Sequence, residues 1–334
     1  MNKYKVALVG ATGLVGRTAL KVFEEKKLPV KEYVLFASAK SAGKKVKFLN
    51  KEYTIQLLDE HSFDDHFDYA IFCAGGEVSK NYARIAVSKG TIVIDNSSYY
   101  RMDKDVPLVV PEVNKEDIYT NNGIIANPNC STIQAVVALK PLDDKYKIKR
   151  IVYSTYQAVS GAGQKGVDDY NNTQKGLNPS KFPHPIYNNC LPHIDVFQEN
   201  GYTKEEMKMI NETQKILHNN KLKITATTVR VPVLNSHSES INIEFKNDFD
   251  LEELKELLRK SPGIILEDDV NNNVYPLATK ASGTDEVYVG RIRRDYSVKY
   301  GVNIWVVADN IRKGAASNAI QILEELIKKD ITLK

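Results

Sequence analysis

The chain begins with an alternating and then wholly apolar run, KYKVALV over residues 3–9. It leads without a break into Gly10-Ala11-Thr12-Gly13-Leu14-Val15-Gly16, then into a helix-patterned stretch from Arg17 to Lys26. A strand, a glycine turn and a helix in that order leave few folds open. Glycines permit a tight turn and close backbone approach, and N–H groups at the helix start face an anion, so the unit suits a pyrophosphate. The spacing is G-x-x-G-x-x-G rather than the commoner G-x-G-x-x-G, so the turn alone also fits a βα connection with no ligand. The rhythm of the next hundred residues favours the nucleotide. Glu32 to Ala37, Tyr69 to Cys73 and Thr91 to Asp95 read as buried strands, with a helix near Val78 to Ser88. Strands alternating with helices predict a parallel, doubly wound sheet with ligands at the carboxyl ends of its strands.

The second strand should end beside an adenosine ribose, where an NAD-binding chain carries an Asp or Glu for the 2′-hydroxyl. Here the chain reads Ser38-Ala39-Lys40-Ser41-Ala42-Gly43-Lys44-Lys45, hydroxyls and ammonium groups that suit a 2′-phosphate. The expected cofactor is therefore NADP. Its expected contacts in this half are Gly10, Thr12, Gly13, Leu14, Val15 and Gly16, then Ser38, Lys40 and Ser41, and Gly75 beyond the Tyr69 strand. A solvated polar loop is the plainer reading of 38–45, since lysines are plentiful along the chain.

Length and charge narrow the classes further. The 334 residues divide into about two domains, and 42% hydrophobic content is ordinary for a globular chain. The net charge of +4 comes from 46 Lys plus Arg against 42 Asp plus Glu, spread without long blocks, so anionic small molecules fit better than nucleic acid. The densest basic cluster, Arg291 to Arg294, is too short for a nucleic-acid groove. No run approaches the roughly 18 apolar residues of a membrane span, and the first apolar stretch falls short of a signal peptide. The expected location is cytoplasmic. The three cysteines, Cys73, Cys130 and Cys190, are odd in number and widely separated, which excludes a disulfide framework and the close pairs of a zinc site. No metal is expected.

One of those cysteines has a special setting. Asn127 and Pro128 interrupt the strand pattern, so the chain turns and restarts as a helix at about Ser131. Cys130 then lies at a helix N-terminus, where the macrodipole and open N–H groups favour thiolate and offer a donor to an oxyanion. A buried structural cysteine accounts for the position equally well on local grounds.

Seven segments taken in order decide between these readings: GATGLVG (10–16), NSSYYR (96–101), PNCSTIQ (128–134), STYQAVSGAG (154–163), EEMKMINET (205–213), VRVPVLNSHSES (229–240) and WVVADNIRKGAA (305–316). Together they resemble aspartate-semialdehyde dehydrogenase over nearly the whole chain. The resemblance implies reversible, NADP-dependent interconversion of 4-aspartyl phosphate with aspartate 4-semialdehyde and phosphate, on the route to lysine, threonine and methionine. In that scheme Cys130 attacks the acyl phosphate, and hydride from NADPH reduces the resulting thioester. His237 matches the acid/base histidine, and Gln157, which is neutral, a positioning residue.

Arg230 matches the arginine that pairs the substrate carboxylate, and Glu205 the glutamate that holds its ammonium, with Glu206 a near-equal alternative. Lys208, three residues on from Glu205, shares its helix face and matches a phosphate contact, as do Arg101 and Asn129. KEEMKM also reads as any amphipathic charged helix. The small-residue turn Ser160-Gly161-Ala162-Gly163 offers a second place for backbone to approach the cofactor, and the resemblance puts Asn310 near the nicotinamide, where helix capping is the plainer local reading.

Beyond Ile151 the pattern turns β-rich, through IVYSTYQAV, LKITATTVRVPV, SINIEF, EVYVGRIRRD and VNIWVVAD. Residues 175–202, rich in Pro, Asn and aromatics, are too irregular for one element and should cover the site or a subunit face. The expected fold is α/β: an N-terminal Rossmann-type doubly wound parallel sheet plus an α+β catalytic and dimerisation domain with a large mixed sheet. The boundaries expected are 1–127 with the C-terminal helix, 311–334, for the NADP-binding domain, and 128–310 for the other. A homodimer or homotetramer is implied by the resemblance. Two rivals remain: N-acetyl-glutamyl-phosphate reductase, which usually carries Pro-Gly-Cys-Tyr at its nucleophile, and a catalytically silent NADP-binding sensor.

Overall fold

The computed structural model describes residues 3–330, which divide into two compact units: one runs to Pro128 and resumes at Ala315, and the other spans Asn129–Gly314. The first unit carries β1 (Tyr4–Val9), α1 (Leu14–Lys26), β2 (Val30–Ala37), β3 (Lys45–Phe48), β4 (Lys51–Thr54), β5 (Gln56–Leu57), β6 (Tyr69–Phe72), α2 (Gly76–Ser88), β7 (Ile92–Asp95), α3 (Pro111–Asn114) and β8 (Ile124–Ala126). Six of these strands form one parallel sheet in the order β5-β2-β1-β6-β7-β8. The chain winds from β1 toward one edge and then, from β6, toward the other. The switch point therefore falls between β1 and β6, where open α/β sheets bind ligands. The strands are continuously apolar and buried (Val6 to Val9, Tyr69 to Phe72, Ile92 to Ile94), and their alternate residues Val6, Leu8, Tyr69, Ile71, Ile92 and Ile94 pack against Ala19, Val22 and Phe23 of α1 and Ile320, Leu323 and Leu326 of the C-terminal helix Ser317–Lys328.

The second unit carries α4 (Cys130–Tyr146), β9 (Ile148–Gln157), α5 (Gln164–Gln174), α6 (Lys204–Ile216), β10 (Lys223–Arg230), β11 (His237–Phe245), α7 (Leu251–Lys260), β12 (Ile264–Leu266), α8 (Ala278–Ala281), β13 (Val287–Asp295) and β14 (Gly301–Ala308). Its sheet runs β10-β9-β11-β14-β13-β12. The outer pairs β10/β9 and β13/β12 are parallel and the inner pairs antiparallel. On β11 the pleat buries His237, Glu239, Ile241, Ile243 and Phe245 toward α4, and leaves Ser238, Ser240, Asn242 and Glu244 half-exposed on the other face. Helix α4 packs on the sheet; it is apolar all round only over the middle run Ala135 to Leu139, and its buried first turns also carry Ser131, Thr132 and Gln134.

Several boundaries depart from the expectation. Helix α1 starts at Leu14, not Arg17, because Gly13 serves as its N-cap and gives no polar capping signal. Helix α4 starts at Cys130 rather than Ser131, since the Asn129 side chain caps it. The last helix starts at Ser317 after a π-helical turn, Arg312–Ala316, in place of an unbroken helix from Ile311. Strand β11 begins at His237, three residues before the apolar pattern shows, because its first inward residues are polar. Among the described residues no helix is long and apolar enough to cross a membrane, and no group of three or more His, Cys, Asp or Glu could hold a metal ion.

Candidate active site

The glycine turn of the first unit is built around a left-handed Gly10, φ +85°. A Cβ there would come 2.8 Å from both the carbonyl carbon and oxygen of Cys73, so the turn after β1 lies flat against the end of β6. Gly16 has no room for a side chain either, as a Cβ would strike the Gly10 carbonyl. The turn thus leaves its outer surface as bare backbone, which fits a pyrophosphate. Gly75, at φ +92°, caps α2 and has open space where a side chain would project. Thr12 Oγ1 donates to Ser41 Oγ at 3.3 Å, tying the glycine turn to the loop after β2 in which Ser38 and Lys40 are exposed. No acid occupies that loop between Ser38 and Lys45. Leu14 and Val15 open α1.

Arg101 lies in this unit too. Its Nε donates to the Asn127 carbonyl at 2.9 Å and its Nη2 to the Asn96 carbonyl at 3.1 Å. Asp95, fully buried, accepts from Ser79 Oγ, Ser97 N and Ser97 Oγ, and so holds the start of the loop that carries the arginine. Burial, with Asp95 nearby, pushes the Cys73 thiol up to about 12, so this cysteine stays protonated.

In the second unit the candidate side chains converge. Asn129, the N-cap of α4, accepts from Ser131 N at 3.1 Å and Thr132 N at 3.3 Å through Oδ1. These are two of the helix N–H groups that were expected to stand open to an oxyanion. The helix start still directs its dipole at Cys130, the first helical residue. Asn129 Nδ2 donates to Glu205 Oε1 at 2.8 Å, its backbone N–H to Glu212 Oε2, and Gln157 Nε2 reaches Glu205 Oε1 at 3.4 Å. On the other oxygen, Glu205 accepts from Lys208 Nζ at 3.0 Å. Burial opposes ionisation of Glu205, yet Lys208, Asn129 and Arg230 outweigh it and hold the carboxyl below its usual range.

Glu206 does something else: it closes a capping box with Thr203 and accepts the Thr228 N–H, so all its bonds stabilise the fold. The sequence left Glu205 and Glu206 as alternatives, and only Glu205 joins the cluster. Glu212 was missed. The signal was present, since Glu205, Lys208 and Glu212 at i, i+3 and i+7 share one face of α6, and that face is buried.

Arg230 ends β10, exchanges both backbone hydrogen bonds with Leu191, and donates from Nη1 to the Ala158 carbonyl at 2.6 Å. Burial lowers its pKa, against the pull of Glu205 and Cys130. His237 accepts the Ala158 N–H at Nδ1, 2.9 Å away. That bond places the ring proton of the neutral form on Nε2. Burial, with Arg230 nearby, holds the imidazole pKa well below its usual range, and Nε2 has no hydrogen-bond partner among the described residues. Gly161 faces both groups: a Cβ on it would lie 2.8 Å from Arg230 Nη1 and 3.2 Å from His237 Nε2.

The preceding Ser236 is left-handed, φ +73°, and its N–H is held by Asn310 Oδ1 at 2.8 Å, while Asn310 Nδ2 donates to Ser160 Oγ at 3.0 Å. Asn310 and Ser160 thus brace the histidine turn. Gly314 closes on Cys130, since a Cβ would stand 2.8 Å from the cysteine Cβ. Its N–H bonds to the Asp309 carbonyl, and Asp309 Oδ1 accepts from Ile311 and Arg312 N–H. Asp309 was also missed, because a buried acid at a strand end looks like any helix cap. Glu239, two residues past His237 on the same face, is fully buried with no hydrogen-bond partner for either oxygen among the described residues, and burial pushes its carboxyl well above the usual range.

A dinucleotide-type sheet joined in one chain to a unit that gathers a cysteine, a neutral histidine, an arginine and a glutamate–lysine pair defines an aldehyde dehydrogenase class. Residues 5–121 match the family model described as semialdehyde dehydrogenase, NAD binding domain, and residues 139–313 the one described as semialdehyde dehydrogenase, dimerisation domain. The aspartate-semialdehyde dehydrogenase of Aquifex aeolicus (strain VF5) is 55% identical over 98% of this chain and 99% of its own length. The structure of aspartate semialdehyde dehydrogenase II of Vibrio cholerae complexed with ASA is 45% identical, with a TM-score of 0.94 over 99% of this chain and 100% of that one. The enzyme of Candida albicans, solved with NADP, is 27% identical, with a TM-score of 0.78 over 98% and 99% of the two chains. The chain belongs to the aspartate-semialdehyde dehydrogenase family and is an oxidoreductase with an NAD(P)-binding domain.

Proposed function

We propose that this enzyme interconverts 4-aspartyl phosphate with aspartate 4-semialdehyde and phosphate through a thioester on Cys130, using NADP, in lysine, threonine and methionine biosynthesis. The observation that carries the reading is the convergence in one unit of Cys130 at a capped helix start, neutral His237, Arg230 and the Glu205–Lys208 pair. In the direction of aldehyde formation the Cys130 sulfur forms a bond to the acyl carbon as the bond to phosphate breaks. Bound NADPH supplies the hydride for this couple. His237 Nε2–H donates toward the substrate oxygen as it becomes an oxyanion. With Nδ1 held by the Ala158 N–H, neutral His237 serves as a hydrogen-bond donor to that oxyanion rather than as a shuttling base, and the aldehyde is released when the oxyanion collapses, the C–S bond breaks and Cys130 leaves as thiolate.

Arg230 is the candidate for the substrate carboxylate, Glu205 for the ammonium and Lys208 for phosphate. Gln157 bonds to Glu205 and Thr155 and serves to position. Both ends of the Asn129 side chain are committed to α4 and Glu205, which favours an organising role over a phosphate contact. Arg101 as a phosphate contact rests on its sequence match.

NADP over NAD follows from the hydroxyls and lysine of 38–45, with Gly10, Thr12, Gly13, Gly16 and Gly75 cradling the phosphates and Ser160, Gly161 and Asn310 as further contacts. A second copy of the chain, making a homodimer, fits the half-exposed face of the mixed sheet, where the Tyr156 and Trp305 rings meet at 5.5 Å, tilted by 42°, and the β11 serines emerge. The test is reduction of NADP⁺ by aspartate semialdehyde, with and without phosphate and with NAD⁺ in parallel. Phosphate-dependent reduction that prefers NADP⁺ is expected. A folded protein that is silent with this aldehyde but active on the N-acetyl-glutamyl analogue would overturn the reading.

A further inference from the structure

The irregular segment before α6 delivers an acid that the reaction does not call for. Lys208 Nζ donates to Glu205 Oε2 at 3.0 Å and also to Asp195 Oδ2 at 2.8 Å. Asp195 is not carried there by a helix or strand, and its backbone sits in the left-handed region, φ +67°, where Asp is among the tolerated residues. The chain around it is tied at both ends. Leu191 exchanges backbone hydrogen bonds with Arg230, and Val196 accepts from the Lys204 N–H where α6 begins. Within that short span the His193 and Phe197 rings stack at 4.3 Å, and Asp195 Oδ1 accepts the Val196 N–H. The carboxylate is therefore fixed on the lysine by backbone, strand and ring contacts. Burial opposes its ionisation, but the Lys208 bond prevails and the carboxyl is held below its usual range.

An ammonium has three donors, and two of those on Lys208 are committed to carboxylates. Lys208 thus faces two carboxylates, Glu205 and Asp195, with Arg230 acting on Glu205 as a second cation. An incoming phosphate dianion at Lys208 meets Asp195 as a like charge on a half-exposed side chain. We propose that Asp195 is a chain-borne counter-anion that holds Lys208 in the site and sets, by competition, how much phosphate the enzyme needs. The proposal rests on the reading of Lys208 as the phosphate contact.

Asp195→Asn keeps an acceptor oxygen for Lys208 and removes the charge. With phosphate varied at saturating semialdehyde and NADP⁺, its phosphate KM should fall about three- to tenfold while the aldehyde KM moves less than about twofold. Asp195→Glu, which restores the charge, should return the phosphate KM to the wild-type range. A phosphate KM that is unchanged or raised in Asp195→Asn, a folded but inactive variant, or a low KM persisting in Asp195→Glu overturns the proposal. Lys208→Gln separates the two claims: if it leaves the phosphate KM unchanged, the reading of Lys208 fails. If it raises that KM while Asp195→Asn does not lower it, only the role of Asp195 fails.

Discussion

The two units build their candidate sites from opposite materials. In the first, what matters is what is absent: Gly10 and Gly16 have no side chain, and the backbone after β1 presses on Cys73 with nothing between. In the second, the site is made of side chains that would be costly to bury alone: a carboxylate and an ammonium that bond to each other, and a guanidinium and an imidazole that both bond to the Ala158 backbone. A backbone cradle tolerates no added atom. A charge cluster tolerates added atoms where they miss the charges, but not a change in sign.

One pair of substitutions tests this contrast at its sharpest. Gly10→Ala places a methyl in the left-handed region and 2.8 Å from Cys73 backbone, and should destabilise the fold by about 1–3 kcal/mol, read as a lowered unfolding midpoint. Gly161→Ala meets only the tips of Arg230 and His237, so kcat/KM should fall roughly ten- to a hundredfold with the midpoint nearly unchanged. Equal effects on stability in the two variants would erase the distinction.

A smaller effect concerns Glu239. Its folded pKa lies well above the ordinary value of 4.5, so its favourable contribution is complete below that value and is lost as pH rises toward the folded pKa. Glu239→Gln cannot ionise in either state. Its stability relative to the wild type should therefore grow between pH 5 and 8, by at most ~1.4 kcal/mol per pH unit, in denaturant titrations. A gap that stays flat with pH would mean the acid is ionised in the folded protein.

The same contrast explains what the sequence disclosed. The cradle was legible because glycine spacing is a direct consequence of backbone crowding, and the missing acid after β2 could be seen by inspection. The polar cluster hid itself. His237 and Glu239 face inward at the start of β11 and break the apolar alternation, so the strand read as beginning at Ser240. Cys130 gained a helical position through the Asn129 side chain, which no hydrophobic period announces. Asp195 was invisible in a segment without periodicity, because its place is set by Leu191 pairing with Arg230 rather than by any local pattern. The stripe Glu205, Lys208 and Glu212 could have been found by asking which face of α6 is buried.

The central claim is that Cys130 is the reactive thiol, and the chain supplies its own controls in Cys190, which is exposed, and Cys73, whose thiol is pushed up to about 12. The most direct measurement is the rate of iodoacetamide modification at each cysteine near neutral pH, resolved by peptide mass spectrometry alongside residual activity. Cys130 should react fastest despite being less exposed than Cys190, activity should fall in step with it, substrate should protect it, and Cys73 should remain unmodified. If Cys190 outpaces Cys130, or activity survives full modification of Cys130, the cluster around it is structural and the account is wrong.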